Sequence, residues 1–229
     1  MMMPARLQLV GDLERRDHFH LPEHAQCYFW GEYTPYEHTQ GKKWNFSPTN
    51  QLIANFKKKM DRRGFPDWQY KIQAIQRVAR QFASSWKWAE MHAQNRVALI
   101  PVPPSKSRED PLFDPRMTEM LARLTTLVDL PLDIRDCLSF SGRHAASHEA
   151  AARPTPDELY EDLTFDLRYG DRAPGAMLVF DDMLTTGAHY VAVTRKLSEQ
   201  FPGVPVIGQF VARRIVPDPF ADFEIEDAL

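Results

Sequence analysis

The sequence predicts an α/β protein: a mainly parallel sheet flanked by helices, carrying a helical, aromatic-rich N-terminal extension. Three observations predict it. Short apolar runs such as Val97-Ala98-Leu99-Ile100 and Met177-Leu178-Val179-Phe180 suit strands covered on both faces. Segments of helical periodicity alternate with these runs from residue 97 onward, the signature of a parallel sheet with helices on its faces. With 229 residues, 43% of them apolar, the chain can bury a real core as one large domain or one domain with an appendage.

The elements follow in order. Residues 1–50 are irregular but hold Tyr28, Phe29, Trp30, Tyr33, Tyr36, Trp44 and Phe46. So many aromatics demand burial, which predicts short strands or a packed arm. Ser47-Pro48-Thr49-Asn50 reads as a helix entry, and Gln51 to Lys59 continues it with Leu52, Ile53 and Phe56 on one face. Arg63-Gly64-Phe65-Pro66 is a break. A longer helix is expected from Asp67 to Met91, with Ile72, Ile75, Val78, Ala79 and Phe82 inward. Beyond Val97–Ile100, Pro101 to Pro104 stops the strand; Met117 to Val128 reads as a helix and Leu132 to Phe140 as a strand. Residues 141–162 are polar and proline-broken, a long loop of the kind that is often functional. Leu163 to Leu167 suits a short strand, Ala188 to Gln200 a helix ended by Phe201-Pro202-Gly203, and Val204 to Ile215 a last strand. The expected divisions are an arm-and-helices region at 1–95, a core at 96–216 and an acidic tail at 217–229.

Composition narrows the function classes. A net charge of -3 gives no global pull toward nucleic acid or acidic membranes. Cys27 and Cys137 are too few for a disulfide framework or a four-cysteine zinc site, so a reducing cytoplasm is expected. No stretch approaches the roughly 20 apolar residues that a membrane span needs.

The most informative stretch is 177–190, MLVFDDMLTTGAHY. An apolar strand delivers Asp181 and Asp182 to a turn, and Thr185, Thr186 and Gly187 open a helix. Helix N-termini offer unpaired N–H groups to an anion, glycine allows close approach, and hydroxyls add donors. The pattern therefore suits a sugar phosphate, with the carboxylates accepting from vicinal hydroxyls. The same residues also suit plainer roles: Asp182 or Thr185 as a helix cap, Asp181 in a solvated turn. A Walker-B strand is excluded, because no GxxxxGK[ST] loop accompanies it. In a sheet of this kind ligands sit beyond the carboxyl ends of the strands, where the loops after Val102 and Phe180 meet.

FDDMLTTG at 180–187 resembles the ribose-5-phosphate motif of type I phosphoribosyltransferases, and ALIPVPPSKSRED at 98–110 resembles the strand and pyrophosphate loop preceding it. The closest likeness is to the ComF-like branch, over residues 50–215. The chain lacks that branch's cysteine-rich zinc module, and His189 stands where the family usually has Thr or Ser. His18, His20, His24 and Cys27 have a conceivable ligand spacing, although scattered histidines are commoner than metal sites.

The resemblance implies phosphoribosyl pyrophosphate (PRPP) as substrate, Mg²⁺ as cofactor, and transfer or cleavage of the phosphoribosyl group with pyrophosphate release. It implies that Asp181 and Asp182 bind the ribose hydroxyls and the metal. Thr185, Thr186, Gly187 and Ala188 would cradle the 5-phosphate, with His189 as a further donor, especially if protonated. Ser105, Lys106, Ser107 and Arg108 would meet the diphosphate, with Arg143 and His144 closing over it. Arg116 and Asp114 flank this site without an assigned role.

The acceptor falls to the variable segments, residues 1–50 or the tail. The run Lys57, Lys58, Lys59, Arg62 and Arg63 suits nucleic-acid phosphates or a protein partner, and equally a solvated helix end. A competing class is therefore an accessory or regulatory subunit, for DNA uptake or bacterial defence, that binds a nucleotide, nucleic acid or protein. A third is a nucleotide hydrolase using Asp181 and Asp182 for metal. A homodimer is the default assembly.

Overall fold

The computed structural model describes residues 6–142 and 154–217. The strands are β1 (Gln8–Leu9), β2 (Gln26–Tyr33), β3 (Val97–Pro101), β4 (Asp133–Ile134), β5 (Leu138–Phe140), β6 (Leu163–Phe165), β7 (Ala176–Leu184) and β8 (Val206–Arg214). The helices are α1 (Asp12–Arg15), α2 (Pro48–Phe56), α3 (Trp68–Ala83), α4 (Trp88–Asn95), α5 (Arg116–Val128), α6 (Pro156–Asp162) and α7 (Ala188–Gln200). Six strands form one sheet in the order β1-β2-β8-β7-β3-β4, parallel throughout except for β1. β5 and β6 form a separate antiparallel hairpin.

Two apolar layers cover the sheet. On one face, Phe56 of α2, Val78 and Phe82 of α3, and Met120, Leu121 and Leu124 of α5 pack on Leu99, Leu178 and Phe180. On the other, Ala188, Ala192 and Leu197 of α7 pack with Ala98, Ile100, Met177, Val179 and the β5–β6 hairpin. Side chains alternate along a strand, so Leu178 and Phe180 of β7 serve the first layer and Met177 and Val179 the second. Each fully buried Leu or Phe contributes about 1.5–3 kcal/mol.

The α/β class and the parallel sheet agree with the sequence reading, and several boundaries move. The N-terminal region takes the strand form, one of the two expected: β2 pairs with β8 from Gln26↔Ile207 to Tyr33↔Arg214, so the sheet draws strands from both sides of residue 95. Its aromatics divide, with Phe29 and Trp30 buried but Tyr36, Trp44 and Phe46 exposed. The long helix expected over 67–91 is two helices, because Ser84 and Ser85 close α3 on the carbonyls of Gln81 and Phe82. The strand expected at 132–140 is split between the sheet and the hairpin. On α3, Ile72 faces outward and Lys71 takes the inward place, 2% exposed. Lys71 is kept there by donating to Asp114 and to the carbonyls of Phe56 and Lys58. Arg143, His144 and residues 218–229 lie outside the described residues. Among the described residues no helix is long and apolar enough to cross a membrane.

Candidate functional site

β3 hands the chain to α5 on one face and on to β4, while β7 hands it to α7 on the opposite face and on to β8. The chain thus diverges between β3 and β7, which creates a crevice beyond their carboxyl ends, the usual ligand position in such sheets. Pro101 pairs with Phe180, and the Val102 N–H donates to the Phe180 carbonyl at 2.9 Å. The loop after β3 therefore leaves beside Asp181.

The two aspartates diverge. Asp181 continues the row of Met177 and Val179 toward α7 and is half-buried. Its Oδ1 accepts the Asp182 N–H at 2.7 Å, and its other oxygen has no protein partner among the described residues. Burial, then the neighbouring Asp182 charge, raises its pKa. Asp182 lies on the opposite face, 4% exposed. Lys57 Nζ reaches its Oδ1 at 3.0 Å, and Arg116 binds its Oδ2 through Nε at 2.9 Å and through a second guanidinium nitrogen. Burial opposes ionisation here, but Lys57 and Arg116 override it and hold the pKa well below the ordinary range. Arg116 also pairs with Asp114, which in turn holds Lys71, so Asp182 ends a buried chain of alternating charges.

The turn after β7 is bound from behind by the N-terminal region. His18 Nδ1 donates to the Thr185 carbonyl and the His20 N–H to the Thr186 carbonyl at 2.9 Å. Gly187 has φ +90°, and a Cβ there would lie 2.9 Å from Leu21 Cγ. Thr186, Gly187 and Ala188 are buried. The Ala188 N–H reaches Thr186 Oγ1 only at 3.4 Å, and the N–H groups of Thr186 and Gly187 have no protein partner among the described residues. His189 is half-buried with its ring edge-on to Phe140. Burial lowers its pKa to about 4, which favours the uncharged ring.

The cations of the other loop are engaged elsewhere. Lys106 pairs with Asp110 at 3.0 Å, and Arg108 forks onto Asp136 at 2.8 Å. Ser105 and Ser107 stand on the same loop, and a Cβ on Gly142 would meet the Ser107 nitrogen at 3.3 Å. Gly142 thus lies close to Ser107. The basic run also divides: Lys58 and Arg62 both hold Asp67, whereas Lys57 turns inward to Asp182. Lys57, Arg116 and His18 therefore belong to the site region, in roles that spacing does not reveal.

A magnesium ion keeps several waters and is typically held by one or two carboxylates plus phosphate oxygens. Asp181 has a carboxylate oxygen to offer, whereas both oxygens of Asp182 are taken by cations. Among the described residues no three His, Cys, Asp or Glu side chains gather to hold a metal. The donor set thus fits an ion brought in with a diphosphate, and does not fit a resident one.

No family model and no curated protein sequence matches this chain. Among solved structures it is similar to a hypoxanthine phosphoribosyltransferase from Staphylococcus aureus in two crystal forms. The tetragonal form is 12% identical, over 64% of this chain and 74% of that one, with a TM-score of 0.34. The orthorhombic form is 11% identical, over 63% and 74%, with a TM-score of 0.31. Similarity of this extent carries no inference about chemistry.

Proposed function

We propose that the protein binds PRPP in the crevice between β3 and β7, together with Mg²⁺, and transfers or cleaves its phosphoribosyl group. The observation that carries this reading is the pairing of two features at one strand end. Unpaired N–H groups of a buried turn and an uncommitted Asp181 oxygen sit where the chain diverges. The turn takes the 5-phosphate, and Asp181 accepts from the ribose hydroxyls. Asp182 holds Lys57 and Arg116 beside the crevice, so it organises the site rather than gripping the sugar. Ser105 to Arg108 approach the diphosphate, where cations oppose the charge that grows on the leaving group. Asp181 would help to hold Mg²⁺ arriving with the substrate, and the ion would supply further charge neutralisation there.

A second reading has its own observation: Asp182, Lys106 and Arg108 are all ion-paired to side chains of the protein itself. It describes a nucleotide- or PRPP-sensing accessory protein, a catalytically altered relative of the ComF-like branch. Calorimetry with PRPP, with and without Mg²⁺, tests the shared site. Pyrophosphate release in the presence of a panel of bases and nucleosides separates the two. Binding with release supports the transferase, binding without release supports the sensor, and no binding removes both.

A further inference from the structure

We propose that His18 is a positioning residue: its ring Nδ1–H, bonded to the Thr185 carbonyl, sets the turn so that the Thr186 and Gly187 N–H groups face the ligand. The proposal rests on the reading of this turn as a phosphate cradle.

The geometry is that of two peptide planes. In a trans peptide the C=O of one residue and the N–H of the next point in opposite directions. The carbonyls of Thr185 and Thr186 are both drawn to the segment 18–20, by the His18 ring and the His20 N–H. The N–H groups of Thr186 and Gly187 must therefore point away from that segment, on a common side. Leu21 crowds the place where a Cβ on residue 187 would sit, so the segment 18–21 also lies close behind Gly187. Anchoring from behind costs the turn no reorganisation when an anion arrives, the condition under which backbone donors bind best.

The chemistry of the ring supports the same role. A carbonyl only accepts, so Nδ1 carries the proton and the tautomer is settled by that bond. The ring is completely buried, and its Nε2 has no hydrogen-bond partner among the described residues. Burial also lowers its pKa, which agrees with a neutral ring. An unpartnered buried nitrogen is costly, and an apolar side chain would fill the space without that penalty. What His18 offers in exchange is the Nδ1 donor. It lies in no recognisable local motif, because its partner is 167 residues away.

The test uses the full-length chain and four proteins: wild type, His18→Ala, His18→Gln and His18→Asn. The Asn amide nitrogen occupies nearly the place of Nδ1, whereas the Gln amide reaches toward Nε2. Calorimetry with PRPP and with ribose 5-phosphate is expected to show affinity reduced by about tenfold or more in His18→Ala and His18→Gln. His18→Asn should stay within about threefold of wild type. Thermal melts identify any variant that fails to fold, and the ordering of Asn above Gln is not what a merely space-filling role would produce. Ring ¹⁵N shifts of the wild type should report the neutral Nδ1–H tautomer. Amide exchange at Thr186 and Gly187 should quicken in His18→Ala. If PRPP binds wild type and the folded Ala variant equally, the positioning role is overturned while the site stands. If wild type binds neither ligand, yet the tautomer and exchange results appear, the brace stands and the phosphate reading falls. An Nε2–H tautomer overturns the proposal outright.

Discussion

The two walls of the crevice are built differently. The wall after β7 is held from behind at three successive residues, with its donors left over. The wall after β3 is exposed, and its cations are spent on Asp110 and Asp136. One wall is preorganised for an anion, and the other must release its ion pairs to meet a ligand. Surface ion pairs contribute only about 0–1 kcal/mol, so that release is easy and a diphosphate can compete for it. Under the proposed function, the contrast would give recognition to the β7 wall and leave chemistry to a rearrangement of the β3 wall.

The adjacent aspartates repeat this contrast at smaller scale, and their removal should give the largest effects. Asp182→Asn strips Arg116 of one of its two carboxylate partners within the buried charge chain and leaves it only Asp114. Breaking such a pair typically costs about 3–5 kcal/mol. Because Lys57 is 37% exposed, its share is small, and a loss of about 3 kcal/mol is expected in urea denaturation. Unchanged stability would mean that the charge chain is not formed in solution.

Asp181→Asn should do the reverse: leave stability nearly unchanged or raised, and weaken PRPP by on the order of 10–100-fold in calorimetry, the scale of a lost charged hydrogen bond. Equal binding would move the ribose elsewhere.

The two carboxylates should also separate in pH. A raised folded pKa means that the folded state holds its proton more tightly than the unfolded chain. Asp181 therefore lowers stability as pH climbs from the ordinary carboxylate range near 4 through its raised value. Asp182, whose pKa is depressed, supports the fold above the ordinary range, and that support is lost as pH falls below about 4. Stability curves of Asp181→Asn should lose the first slope and keep the second. A curve identical to wild type would contradict the divergence of the pair.

The smallest effect is expected at Lys106→Ala. Its partner Asp110 is four residues away on the surface, and ground-state affinity for PRPP should change by less than about threefold. A larger loss would show that the β3 wall is already arranged for binding.

Much of this was legible in local pattern. The run 177–180, the turn at 185–187 and the helix from Ala188 to Gln200 all follow from apolar continuity, glycine and period. What period leaves open is shown by α3: the stripe containing Ile75, Val78 and Phe82 is plain, yet Lys71 rather than Ile72 completes it, because Asp114 and two carbonyls receive its charge. The same limit hid the fate of the basic run. Lys57 and Lys58 are neighbours of identical type, and only their distant partners, Asp182 and Asp67, tell them apart.

By itself, then, the chain's sequence determined the α/β class, the apolar strand that leads into Asp181 and Asp182, and the glycine turn that opens α7, although the strand itself runs on to Leu184. These depend on spacing of two to four residues, which hydrophobic periodicity and turn chemistry encode directly. Tertiary structure alone decided that β2 joins the sheet, that Asp182 is saturated by Lys57 and Arg116 while Asp181 is not, and that His18 reaches Thr185. Those contacts join residues far apart in the chain, 167 positions for His18 and Thr185, and the burial that makes them strong exists only once the layers have closed.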